Sequence, residues 1–257
     1  MKELAEHSAD GALGTQADRV AWWAIEELVK LERQRGGFSQ ALRLLVDGAA
    51  LPFDRERSIT LSYQAAEIAV EALQDPDLGA EICRSLLNKA PDHPGTLELL
   101  SGIYERGQRY TDLLALRRQE LELNPALDRR LQLRLDEARI LELVGGSPAQ
   151  RIEALQRNVE ESPGHTPSID ALEQILASSG EHAGLYALLV QQAKRVARSD
   201  DREAAAGLWA RAGQLSQTSL GNVEQALTAY EASVQLSPTA EVLDALADQL
   251  ALMRPGA

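Results

Sequence analysis

Apolar residues recur along this chain at the three- and four-residue spacing of a helix face. Between Pro91 and Pro125 this spacing occurs twice, and a short turn at 105–109 separates the two runs. The apolar and aromatic positions of the two runs are Leu97, Leu100, Tyr104, Tyr110, Leu113, Leu114, Leu121 and Leu123. The pattern predicts two amphipathic helices joined by a turn and ended by a proline. Because helices of this length cannot bury an apolar face alone, the pair needs neighbours.

The same pattern of helix, turn and helix recurs along the chain, with an average step of about 37 residues. The turns fall near Gly37, Asp75, Gly107, Gly145, Gly180 and Gly221. The predicted helix pairs lie near 18–52, 57–91, 94–125, 128–163, 166–198 and 202–238, and a terminal helix covers 239–253. This period predicts an all-α solenoid of about six antiparallel helix pairs plus a C-terminal helix. We expect one continuous domain over 17–253 and a flexible lead-in at 1–16.

Composition supports the helical class and narrows the choice of partner. Of the 257 residues, 44% are hydrophobic and only 4% are aromatic, and the formal net charge is −13. The negative charge argues against nucleic acid as a partner, because phosphates are bound by Lys and Arg on a basic face. No signal peptide and no apolar run long enough for a membrane span is legible, so neither is predicted. We expect a cytoplasmic protein, or a piece cut from a larger one.

The sixth pair carries the residues of a known repeat motif. Trp209 and Gly213 stand four residues apart in its first helix, Ala226 and Tyr230 in its second, and Pro238 follows. This order resembles the tetratricopeptide repeat family, whose motif is W-x2-L-G-x2-Y, then A-x3-F, then P. Partial matches in other pairs are Phe38, Ala41, Leu100, Tyr104, Tyr110, Pro125, Leu172, Gly180 and Leu189. The resemblance covers about residues 20–240 and implies a right-handed solenoid. A divergent or mixed helical repeat stays open.

The resemblance also implies a concave groove, lined by the first helices of successive pairs, where peptides or partner helices bind. The residues that we expect to face it are Gln64, Glu71, Glu98, Glu105, Asp170, Gln174, Gln214 and Gln217. This set is acidic and rich in amides, and it lacks the Lys, Asn and Arg residues with which some family members clamp a terminal carboxylate. We therefore expect a basic or neutral protein or peptide partner rather than an acidic one.

One basic cluster is the exception to this acidic surface. Arg129, Arg130 and Arg134 stand together in the fourth pair, where an acidic partner could dock. The acids of the same helix, Asp128, Asp136 and Glu137, could instead pair with these arginines.

Side chains that could carry catalysis or bind a metal ion are sparse. None of the four histidines has a second histidine three or four residues away, so no helical metal pair is formed. Cys83 falls in phase with Ile82 and Leu86 and is expected to be a buried small hydrophobe. No phosphate-binding loop motif occurs. The sequence predicts no enzyme activity, no metal and no cofactor.

Two adjacent tryptophans, Trp22 and Trp23, point about 100° apart on a helix and cannot face one core together. We expect one of them to pack in the core and the other to lie at the N-terminal end, either as an interface residue or under the lead-in segment. The main functional hypothesis is a non-enzymatic scaffold that binds a protein or peptide in the groove. The alternative is a structural segment that stacks end to end with itself or with further repeats, since Leu246, Leu250 and Met253 keep the terminal helix apolar.

Overall fold

A computed structural model describes residues 2–199 and 201–252, with side chains described for residue 16 and from residue 18 onward. Helices make up nearly all of this part of the chain, and it contains no strand. The helices are α1 (Lys2–Gln34), α2 (Phe38–Ala49), α3 (Arg55–Glu67), α4 (Pro76–Lys89), α5 (Pro94–Arg106), α6 (Tyr110–Glu122), α7 (Leu127–Leu143), α8 (Pro148–Glu161), α9 (Thr166–Ser178), α10 (His182–Val196), α11 (Arg202–Leu215), α12 (Val223–Leu236) and α13 (Ala240–Leu252). One π-helical turn extends α3 (Ile68–Ala72) and another extends α11 (Ser216–Leu220).

The predicted fold class is confirmed. Helices α1–α12 form six antiparallel pairs joined by short turns, and α13 follows as the terminal helix. The start of α1 differs from the sequence expectation, because the helix begins at Lys2 instead of near Asp18. Ala, Leu, Glu and Lys in this segment favour a helix strongly enough to offset the cost of Gly11 and Gly14. The flexibility expected for 1–16 stays a prediction, because residue 1 and the side chains of 2–15 lie outside the described part of the chain.

The chain forms two compact units, Met1–Leu123 and Asn124–Ala257, which we call unit 1 and unit 2. The sequence predicted a single continuous domain over 17–253. In the structure the same stretch is divided between unit 1 and unit 2. Unit 1 holds α1–α6, and unit 2 holds α7–α13.

The core of unit 1 begins where α1, α2 and α3 meet. Its fully packed residues are Ile25, Val29, Ala41, Leu45, Leu61, Ala65 and Ile68. Trp22 covers this cluster with its ring edge-on to Phe53, at 5.9 Å between ring centroids. The small residues Ala41 and Ala65 are completely buried, so neighbouring helices approach closely at those points.

The core of unit 2 continues from α7 through to α12. Its largest fully buried side chains include Leu155, Ile169, Leu172 and Leu185. Trp209 closes the same cluster at 9% exposure, which confirms the packing role expected for it. Each side chain fills the space between successive helices, so no pair could be stable without its neighbours.

Helix starts are set by side chains that accept a hydrogen bond from the first turn. The capping residues are Asp54, Asp75, His93, Ser147, Asp201 and Asn222. Each satisfies a backbone N–H that the helix itself leaves unpaired. Pro76, Pro94 and Pro148 take the first helical position, where a missing N–H costs nothing. The capping residues and the prolines thus set the residue at which each of these helices begins.

Two glycines of α11 give a matched test of helix packing. A Cβ on Gly213 would lie 2.7 Å from the ring of Tyr230 on α12, whereas a Cβ on Gly207 would meet nothing within 4 Å. We expect Gly213→Ala to lower the free energy of unfolding by about 1–2 kcal/mol, because overpacking outweighs the helix preference of alanine. Gly207→Ala is expected to raise it by about 0.5–1 kcal/mol. Urea unfolding of both variants checks this, and equal effects would show that Tyr230 moves aside without cost.

Candidate functional site

The first helices of the second and third pairs, α3 and α5, meet at Tyr63. The ring of Tyr63 lies 5.3 Å from that of His93, measured between centroids. A Cβ on Gly95 would lie 3.0 Å from the same ring, so glycine at this position lets the ring pack closely against the start of α5. His93 is itself held in place, because its Nδ1 accepts a hydrogen bond from the backbone N–H of Thr96 at 3.2 Å. Tyr63 therefore has a fixed position between the two helices.

Two carboxylates act on the ionisation of Tyr63. Burial, together with a hydrogen bond to Glu67 and the charges of Glu67 and Glu98, raises the pKa of Tyr63 to about 12. The phenol therefore stays protonated at neutral pH. Glu67 belongs to α3 and Glu98 to α5, so acids from both helices act on the same side chain.

Further acids continue this surface along both helices. Glu71 lies one helical turn beyond Glu67, and Glu105 lies two turns beyond Glu98. Glu71, Glu98 and Glu105 are exposed, while Gln64 and Glu67 are half-buried. Neither the segment 64–72 nor the segment 94–105 contains a Lys or Arg. We call Tyr63, Gln64, Glu67, Glu71, Glu98 and Glu105 the acidic face of unit 1.

The corresponding surface of unit 2 is electrically different. Asp170 on α9 is exposed, and Arg211 on α11 donates to its Oδ1 at 2.7 Å. The same guanidinium pairs with Glu173. One arginine thus pairs with two acids and neutralises half of their negative charge.

Amide side chains make up the rest of the predicted set in unit 2. Gln174 and Gln214 are exposed on α9 and α11. Gln217 lies in the π-helical turn after α11, where its Oε1 accepts a hydrogen bond from the hydroxyl of Tyr230 at 2.8 Å. Gln217 is therefore engaged with the neighbouring helix, and Gln174 and Gln214 present their amides outward.

Sequence reasoning missed four residues of these surfaces: Tyr63, Glu67, Glu173 and Arg211. In the repeat frame Tyr63 takes the place of the motif tryptophan, and Glu67 takes a place that favours a small residue. The charge of Glu67, at a position where the motif has glycine, was the signal that could have identified it as a surface residue. Arg211 could not be found in this way, since its partners lie 38 and 41 residues earlier in the chain.

The basic cluster of α7 binds an acid from the next helix. Arg130 and Arg134 both pair with Glu161 near the end of α8. Hydrogen bonds from Arg130 and then Arg134 lower the pKa of Glu161 to about 2, so the carboxylate stays charged. The sequence proposed Asp128, Asp136 and Glu137 as partners, whereas these two arginines select Glu161. Both guanidinium groups already pair with the same carboxylate, which disfavours this cluster as a dock for acidic ligands.

The histidine and cysteine side chains take structural positions. His93 caps α5, and Nδ1 of His165 lies 2.9 Å from the Ser168 hydroxyl. Cys83 is completely buried, as expected, and burial raises the pKa of its thiol to about 12. His7 lies among the residues whose side chains are not described. Within the described residues, no group of three or more His, Cys, Asp or Glu is arranged to hold a metal ion.

None of the described helices combines the length and the apolar character that crossing a membrane demands.

Comparison with known proteins returns other helical repeats. No protein-family model and no curated protein matches the sequence. Among solved structures, YrrB, titled as a TPR protein with an unusual peptide-binding site, is 15% identical with a TM-score of 0.39, and the match covers 77% of this chain and 98% of YrrB. A TPR repeats protein from Bacteroides fragilis is 12% identical with a TM-score of 0.48, and the match covers 76% and 98%.

A third similar structure is a tetratricopeptide repeat protein from Parabacteroides merdae. It is 16% identical with a TM-score of 0.36, and the match covers 89% of this chain and 84% of that one. These proteins carry the repeat that the sequence of this chain resembles. Because the sequence identities and TM-scores are low, the fold of this chain is assigned from the pairing of its own helices.

Proposed function

We propose that this chain is a non-enzymatic scaffold for protein interactions and that the acidic face of unit 1 binds a basic peptide segment. The observation that carries the proposal is the series of acids along α3 and α5. The charges of Glu67 and Glu98 both raise the pKa of Tyr63, and neither 64–72 nor 94–105 contains a Lys or Arg. A Lys or Arg side chain from a partner would bring the opposite charge to these carboxylates.

The aromatic ring adds a second mode of recognition. Tyr63 is half-buried, so part of its ring is exposed to solvent at the helix crossing. A cation placed over a tyrosine ring gains about 0.5–1 kcal/mol at an exposed site. An exposed ion pair contributes a similar amount. Several such contacts are therefore needed, so we expect an extended peptide with spaced basic residues and binding that weakens as salt is added.

Unit 2 supports a more neutral ligand. Arg211 compensates Asp170 and Glu173, and the exposed groups beside them are the amides of Gln174 and Gln214. Amides both donate and accept hydrogen bonds, so this surface suits the polar backbone of a peptide. The residues expected to bind a partner thus divide into an acidic set in unit 1 and an amide set in unit 2, and we expect charge selection to come from unit 1.

A peptide panel tests the proposed function. Three fluorescein-labelled octapeptides alternate alanine with lysine, with serine or with glutamate, and their binding is measured by fluorescence anisotropy. We expect the lysine peptide to bind most tightly, the serine peptide weakly and the glutamate peptide not at all. We also expect the affinity for the lysine peptide to fall as salt rises. Equal binding of all three peptides, or no binding of the lysine peptide at low salt, would overturn the proposal.

A further inference from the structure

Two arginines of unit 1 lie over aromatic rings and contact carboxylates at the same time. The guanidinium carbon of Arg109 lies 4.8 Å from the centroid of the Tyr104 ring. The same group donates to Asp112 at 2.8 Å and to Asp77 at 3.1 Å. Tyr104, Asp112 and Asp77 belong to α5, α6 and α4, so one guanidinium joins an aromatic ring to acids from two other helices.

Arg57 repeats this arrangement at the start of α3. Its guanidinium carbon lies 5.6 Å from the centroid of the Trp22 ring, and its Nε lies 3.4 Å from a carboxylate oxygen of Asp54. Trp23, next in the chain to Trp22, is 63% exposed. Among the described residues of unit 1, the cations that combine a ring with a carboxylate are thus arginines.

The shape of the guanidinium group accounts for this choice. It is planar, so it stacks on an aromatic face while the N–H groups at its edge still reach carboxylates. An ammonium is a compact, strongly hydrated charge without a flat face. Lys194 of unit 2 lies over the ring of Trp209, at 5.9 Å from its Nζ to the centroid, but forms no ion pair with a described residue. A ring flanked by carboxylates therefore favours arginine over lysine.

Tyr63, in the acidic face of unit 1, offers the same components without the cation. Its ring packs against Gly95 at the start of α5, and Glu98 lies one helical turn further along that helix. Glu67 lies one turn beyond Tyr63 along α3. Within the described residues, no Lys or Arg lies over this ring. The ring and the two acids thus lack only a guanidinium group.

The bases at the ends of the surrounding helices have other positions. Arg55 donates to a backbone carbonyl at the end of α4, Arg57 lies over Trp22, and Nε of Arg106 donates to a carbonyl of its own helix. Lys89 is exposed in the last turn of α4 and lies over no ring of the described chain. These bases leave the ring of Tyr63 to a partner.

We propose that Tyr63, Glu67 and Glu98 form a recognition site for an arginine side chain and select it over lysine. This inference rests on the proposed function, because it names the residue type that the acidic face of unit 1 selects in a basic peptide. The guanidinium group lies over the ring of Tyr63 with its N–H groups directed to the acids, in the manner of Arg109 over Tyr104.

Two peptides and the full chain test the inference. An octapeptide that alternates alanine with arginine is compared with the lysine peptide by fluorescence anisotropy at one salt concentration. We expect the arginine peptide to bind the wild type about five-fold more tightly. Tyr63→Leu should reduce this difference to less than about two-fold, whereas Tyr63→Phe keeps the ring and should preserve it. Tyr110→Leu is the matched control, since Tyr110 is a half-buried tyrosine of α6 outside the acidic face, and it should also preserve the difference.

A second measurement on the wild type covers the case in which Tyr63→Leu fails to fold, which circular dichroism would show. In a chain with isotope-labelled tyrosine, the ring signal of Tyr63 in the nuclear magnetic resonance spectrum is assigned by its loss in Tyr63→Phe. We expect the arginine peptide to shift this signal more than the lysine peptide does.

The outcomes separate this inference from the proposed function. Equal affinity of the wild type for both peptides, or an arginine preference that survives in Tyr63→Leu, would overturn the arginine site and leave the basic-peptide scaffold standing. An equal shift of the Tyr63 signal by both peptides would overturn the arginine site as well. Binding of neither peptide would overturn the proposed function and the arginine site with it.

Discussion

Replacing Asn158 by alanine is expected to lower the free energy of unfolding of unit 2 by about 3 kcal/mol. Asn158 on α8 is completely buried, and its Nδ2 donates to the carbonyl of Leu131 on α7 at 2.8 Å and to the hydroxyl of Ser168 on α9 at 2.9 Å. Its Oδ1 accepts from Arg134 at 3.3 Å. The side chain thus joins three helices. Alanine would leave buried polar groups without this partner and open a cavity.

Chemical unfolding monitored by circular dichroism measures this loss. Asn88→Ala is the matched control, because Asn88 is exposed on α4 and its removal should change the free energy of unfolding by no more than about 0.5 kcal/mol. If both variants unfold at the same urea concentration as the wild type, the Asn158 network does not hold unit 2 together.

Reversing two charges on the acidic face of unit 1 should weaken binding of the lysine peptide by about 30-fold, which corresponds to about 2 kcal/mol. The variant is Glu67→Lys with Glu98→Lys. Each change removes an attraction and adds a repulsion, and each is worth up to about 1 kcal/mol at an exposed position. The same variant should begin to bind the glutamate peptide, because the sign of the face is reversed.

Net charge alone would also weaken the binding of a cation, so this experiment needs a control of equal charge. Glu81→Lys with Glu122→Lys serves, since both acids are exposed on α4 and α6, the second helices of the same pairs. Anisotropy titrations at one salt concentration should show a much smaller loss for this control. Equal losses in the two variants would mean that the peptide senses only the total charge.

The helical framework could be predicted from sequence because its signals are local. The spacing of Leu97, Leu100 and Tyr104, and the prolines at helix starts, need no knowledge of distant residues. Packing of the repeat tryptophan, Trp209, followed from its position in the motif. The start of α1 at Lys2 was not predicted, because Gly11 and Gly14 disfavour a helix. The strong helix formers around these glycines outweigh that cost.

The finer electrostatics could not be read in the same way, since they depend on contacts between helices. Glu161 pairs with Arg130 and Arg134, which lie 31 and 27 residues earlier, although acids of α7 stand nearer to both in sequence. Arg211 compensates Asp170 from another helix pair. The sequence predicted an acidic, amide-rich surface for the whole chain. Because Arg211 pairs with acids of unit 2, the negative charge of that predicted surface is concentrated in unit 1.

The position of the bound peptide is the most direct test of the account. The lysine peptide, carrying one photoreactive benzophenone alanine, is cross-linked to the wild-type chain and the product is digested with trypsin. The acidic face of unit 1 falls in the tryptic fragments 58–84 and 90–106. We predict that mass spectrometry finds the cross-links in these two fragments and that Glu67→Lys with Glu98→Lys abolishes them. Cross-links confined to unit 2, or to the second helices of unit 1, would contradict the account.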